Sequence, residues 1–143
     1  MSFPLRRSRN AKPRRAATAS GYRSVLLEHP MQKAIIEHWS LRGNHREAVL
    51  FAIPNGGLRD PATARRLKLE GVQAGVCDIF ASHARTGSFW LEVKRPSRGR
   101  LSEAQKAFIP RMIAAGQQVF VMDDLGAILR LLEERQILRG RLQ

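Results

Sequence analysis

From residue 28 onward the apolar residues switch repeatedly between helical and strand spacing, and glycine or proline marks most of the switches. HPMQKAIIEHWSLRG sets Met31, Ile35 and Trp39 on one stripe with Ala34 and His38 beside it. That spacing predicts a helix from about residue 28, with Pro30 near its start and Gly43 past its end. REAVLFAIPN predicts a strand from about 47 to 53 that stops at Pro54, and NGG at 55–57 is a turn signal. Asp60 and Pro61 have the chemistry of an N-cap and a first helical residue, so PATARRLKLEG predicts a short basic helix closed by Gly71. GVCDIFASH and FWLEVK predict two strands joined as a hairpin through HARTGS. A helix follows from Ser102, with Pro110 in its middle, then a strand in QQVFVMD. The last predicted element is an amphipathic helix carrying Leu125, Ile128, Leu129 and Leu132 on one face. This order requires an α/β fold, a central sheet covered by helices on both sides.

The chain has 143 residues, enough for one compact domain and short for two. Its 25 Lys and Arg against 12 Asp and Glu give a net charge of +13, which points to a polyanionic partner. Residues 1–24 carry Arg6, Arg7, Arg9, Lys12, Arg14, Arg15 and Arg23 with no acid and few large apolar side chains. Such a segment buries too little surface to offset its ordering entropy, so it is expected to be a flexible nucleic-acid-binding arm, rather than an organellar transit peptide, ahead of a domain at 25–143. Cys77 is the single cysteine, which excludes an internal disulfide and a cysteine-rich zinc site and suits a reducing cytoplasm. No apolar run approaches the roughly 20 residues of a membrane helix.

Three charged residues stand out in the hairpin. Asp78 lies in an apolar run where an ionised carboxylate is costly unless something compensates it. Glu92 and Lys94, two residues apart in FWLEVK, share one face of a strand while Leu91 and Val93 take the other. Each alone has an ordinary explanation as a strand-end or cross-strand charge. Together, on neighbouring strands, Asp78 and Glu92 offer the hard oxygen donors that magnesium prefers, with manganese as a second candidate ion. Lys94 beside them is placed to hold a water or to neutralise charge on a phosphorane. Arg59, Arg65, Arg66 and Lys68 form a cationic flank for a phosphodiester backbone. The Asn55 turn either simply reverses the chain or presents backbone amides to a phosphate. The four histidines show no metal-ligand spacing, and Trp39 and Trp90 are expected in the core.

The order IPNGGLRD, basic helix, EGVQAGVCDIF, WLEVK, RLSEAQ and AAGQQVFVMDD resembles the VRR-NUC domain, a branch of the PD-(D/E)XK nucleases, over most of the chain. The resemblance implies a restriction-endonuclease-like fold, with a mixed sheet of about four strands, and magnesium-dependent hydrolysis of DNA. By motif it puts Asp78 and Glu92 on the metal-binding carboxylates, Lys94 on the catalytic lysine and Gln105 on a glutamine beside the catalytic strand. Bottom-up, Gln105 could equally be a solvated helix residue. The family's first-helix acid falls on Glu28, with Glu37 as the competing choice. Cys77 stands where the family usually has proline, and Pro30 replaces a polar residue. A homodimer acting on branched DNA such as a four-way junction, with no small-molecule cofactor, is the expected assembly. A basic module that grips nucleic acid without cutting it is the rival expectation.

Overall fold

The computed structural model describes residues 19–55, 59–97 and 99–140, with side chains from Pro30 onward. The elements are α1 (Ala19–Arg42), β1 (Ala48–Ala52), α2 (Pro61–Leu69), β2 (Ile79–His83), β3 (Gly87–Val93), α3 (Glu103–Ala114), β4 (Val119–Met122) and α4 (Leu125–Glu134), in the order expected. The sheet runs β1-β2-β3-β4. The first two pairings are antiparallel and the β3–β4 pairing is parallel. Parallel neighbours need a crossover, and α3 supplies it.

Two differences from the sequence expectation concern boundaries. α1 starts at Ala19 and runs through Pro30, instead of beginning beside it. Proline is tolerated at a first helical position but also inside a helix, at the cost of one hydrogen bond, so it did not mark this start. β2 begins at Ile79, one residue after Asp78. The Asp78 carbonyl still accepts from Ile53 N–H at 2.7 Å, continuing the β1–β2 contact past the strand end.

Strand alternation gives the sheet two unlike faces. On one, Leu50, Ala81, Phe89 and their neighbours Ile79, Leu91 and Val93 pack against Ile35 of α1 and Ile128, Leu129 and Leu132 of α4. Ile137 and Leu138 close this core, and Gly43 bridges to Leu138 to tie the two chain segments together. The other face is covered in part by α3, whose Ile109 and Met112 bury Cys77. α2 contributes no buried residue, and Leu69 is 84% exposed. Its cap is well made: Asp60 accepts from Thr63 N–H at 2.9 Å and Pro61 opens the first turn.

This division predicts unequal mutational costs. Leu132→Ala should destabilise the fold by about 2–5 kcal/mol, whereas Leu69→Ala should stay within about 0.5 kcal/mol, both read from denaturant unfolding.

Candidate active site

Glu92 lies on the α3 side of β3 and is 1% exposed, although it is a carboxylate. Lys94, one strand step further, is 8% exposed, and its Nζ lies 2.7 Å from Glu92 Oε1. The two share a face as their spacing requires, while Leu91 and Val93 turn into the α1/α4 core. Asp78 enters from the adjacent strand end, half-buried, and its Oδ2 accepts from Val93 N–H at 2.9 Å. The two carboxyls are neighbours, and the charge of Asp78 acts on Glu92.

Gln105 joins this group from α3. Its Oε1 accepts from Ser102 N–H at 2.9 Å and from Lys94 Nζ at 3.0 Å, while its Nε2 donates to Glu92 Oε1 at 2.5 Å. Ser102 Oγ in return accepts from Gln105 N–H at 3.2 Å, completing a capping box. The box fixes which way the amide points: a backbone N–H needs Oε1, so the NH2 group must face the glutamate. One side chain therefore starts the helix and orients the buried acid.

Two further contacts hold α3 and Asp78 in register. Gly75 has a φ of +85°, and a side-chain carbon there would sit 2.3 Å from the Ala104 carbonyl oxygen. Only glycine allows the 71–76 loop so close to the first turn of α3. Asn55 Nδ2 donates to the carbonyls of Val76 and Cys77, the latter at 3.1 Å, pinning the chain that leads into Asp78. Nothing local in the sequence announces either contact, because both join residues distant in the chain.

Burial raises the pKa of both acids. For Glu92 desolvation is the main cause and the charge of Asp78 the next, and together they push it up to about 7 against the pull of Lys94 and Gln105. Asp78 is raised by burial, opposed by the Val93 N–H and by Lys94. The Cys77 thiol, pushed up to about 12 by burial and by these two acids, is inert beside them.

Glu92 Oε2 is buried and has no hydrogen-bond partner. A buried carboxylate oxygen left unpaired beside a second carboxyl suits a hard divalent cation, which would supply the missing partner and offset the repulsion. Among the described residues no set of three His, Cys, Asp or Glu side chains gathers at one point. Two carboxylates with water and substrate oxygens still match the way magnesium is commonly held.

The remaining expected residues sit apart. Arg65, Arg66 and Lys68 are exposed on α2, with Arg66 3.9 Å from Glu70. Arg59 donates to the Pro54 carbonyl at 2.9 Å. Arg59, Lys68, Asn55, Gly75 and Gln105 line a cleft of about 730 Å³ between α2 and the start of α3. The Asn55 side chain is engaged with backbone carbonyls, so its visible task is to position the strand entry. Gly56 and Gly57 lie outside the described residues, as does the Glu28 side chain on α1. Glu37 is exposed on α1 and lies 3.9 Å from Lys33.

No family model and no curated protein sequence matches the chain. Among solved structures, a VRR_NUC domain protein superposes with a TM-score of 0.55 at 16% sequence identity. The match spans 76% of this chain and 86% of that one. At that identity the likeness is one of fold. The chain has the VRR-NUC fold, an α/β architecture with a four-stranded mixed sheet flanked by helices.

Proposed function

We propose that this protein is a magnesium-dependent DNA endonuclease with Asp78, Glu92 and Lys94 as its catalytic residues. The observation that carries the reading is the unpartnered, fully buried Oε2 of Glu92 beside a second carboxyl and an ammonium group. A fold that needed only to grip DNA gains nothing from two acids whose burial works against them.

Each residue then has a definable task. Asp78 and Glu92 would hold the ion, with Glu28 from α1 as a third donor. Such an ion supplies Lewis acidity toward the phosphate and a lowered pKa for a water nucleophile. Lys94 Nζ carries three donors; two are engaged by Glu92 and Gln105, and the third is left for a water or a phosphate oxygen. As negative charge builds on the phosphorane, that ammonium offsets it in a site that excludes most water. Gln105 keeps Glu92 and Lys94 in their relative positions. Arg59 and Lys68 at the cleft, with Arg65 and Arg66 elsewhere on α2, bind the backbone, and the cations of residues 1–24 add to that grip. A single small subunit covers little duplex, so a homodimer acting on branched DNA, such as a four-way junction, is the matching assembly, in a cytoplasmic setting. No helix of the described residues is long and apolar enough to cross a membrane.

Incubating labelled linear, nicked, flapped and four-way DNA with the protein tests the reading: cutting is expected with magnesium and absent in EDTA. Asp78→Asn should bind DNA at least as tightly as the parent and not cut it, and Lys94→Met should lower kcat by about 10²–10³. Binding without any cleavage under magnesium or manganese would leave the fold as a grip only.

A second test needs no substrate. The folded chain holds the Glu92 proton more tightly than the unfolded chain does, so this stability is present below the ordinary value of 4.5 and is lost as pH rises through about 7. In EDTA the melting temperature should therefore fall across that window. Magnesium should restore it at the upper end, and Glu92→Gln should flatten the profile.

A further inference from the structure

On the face that carries the acids, the row next to them is aromatic. Phe51, Phe80 and Trp90 pair in register across β1, β2 and β3, with ring centroids 5.3 Å and 4.9 Å apart. Trp90 precedes Glu92 by one strand step, and Phe108 follows Gln105 by three residues on α3. Both aromatics are thus displaced from the acid site by roughly 5–7 Å in the same sense, one along a strand and one along a helix. Between them lies a groove of about 390 Å³ lined by Val76, Trp90, Phe108, Arg111, Met112 and Gln117. Val76 also lines the larger cationic cleft, so the two depressions meet at the residue that leads into Cys77 and Asp78.

The groove has the composition of a site for a flat, polar-edged ring. Trp90 is held at its side by an edge-to-face contact with Phe80 and by its own Nε1, which donates to Gln117 Oε1 at 3.1 Å. Since indole can only donate, Gln117 must turn its oxygen to Trp90, which leaves its NH2 group for the edge of a ligand. Arg111 is exposed and lies 5.5 Å from the centre of the Phe108 ring, a cation that suits a phosphate or a stacked π-system. The exposed Arg111 in the groove and the adjoining cleft lined by Arg59 and Lys68 favour a polyanion as the occupant.

We infer that the groove between Trp90 and α3 receives an unpaired nucleobase from the nucleotide whose phosphate lies at the Asp78–Glu92 site. A base inside a duplex is stacked on both sides and cannot enter. A flap, a bulge or the splayed crossover of a junction can supply one, so the groove would select substrates that carry an unpaired nucleotide. The inference rests on the nuclease reading for the location of the phosphate.

The test measures binding in EDTA, so it does not depend on cleavage. Labelled duplex DNA and the same duplex with one unpaired thymine are titrated with the parent protein, Phe108→Ala, Phe108→Tyr and Arg111→Ala. The parent should bind the unpaired form more tightly; Phe108→Ala should weaken that binding about tenfold while leaving the paired duplex within about twofold, and Phe108→Tyr should restore it. Arg111→Ala, at an exposed position, should weaken the same arm alone and decides the matter if Phe108→Ala does not fold. Equal losses on both DNAs, or none on either, would overturn the inference. So would sedimentation showing that Phe108→Ala dissociates a dimer while DNA discrimination persists, since the groove would then be a protein contact. A parent that discriminates but never cuts with magnesium would refute the nuclease reading and leave the groove standing.

Discussion

The buried pairing of Glu92 with Lys94 governs how the rest of the domain is arranged. An ion pair taken out of water recovers little net stability, because desolvation offsets most of the attraction unless the remaining lone pairs are satisfied. Here one carboxylate oxygen receives both Lys94 and Gln105 and the other receives nothing. The half-satisfied state is a poor choice for folding and a natural one for holding something. Around it the fold spends several unusual residues: a glycine at positive φ against the α3 terminus, a capping-box glutamine that reaches across to a strand, and an asparagine that ties down the approach to Asp78.

The two sheet faces divide the labour. The α1/α4 face holds the larger apolar core, capped by Arg135 over the Phe89 and Phe120 rings, and apart from the proposed donor Glu28 of α1 it carries none of the candidate chemistry. The α3 face is only partly covered, and it holds the acids, the lysine and the aromatic row. Stability and function are thereby separated by the thickness of one sheet, so substitutions near the acids leave the main core in place.

Much of this was legible in the chain itself. Hydrophobic period and turn punctuation gave all eight elements in order, because each strand or helix buries one face and therefore carries that face in its spacing. The shared face of Glu92 and Lys94 followed from the pleat alone. What local pattern could not give were contacts between distant residues. Asn55 looked like part of a turn, but its side chain binds carbonyls at 76 and 77. The role of Gln105 depends on the packing of α3 against β3, which its helical spacing does not specify. The apolar neighbours of Asp78 extend the strand-like run past Ile79, where regular pairing begins, so the pattern alone puts Asp78 inside the strand. The early start of α1 has no local signal, because a proline that can open a helix can also sit within one.

The isolation of α2 has a consequence for how such a chain can diverge. A helix that packs no buried side chain contributes little to the global unfolding free energy, so its sequence is constrained only by its own propensity, its Asp60 cap and whatever it touches outside the molecule. Lineages could exchange this segment, lengthen it or alter its charge pattern without retuning the interior. The same architecture could thereby acquire new target preferences through a module that the rest of the protein scarcely feels.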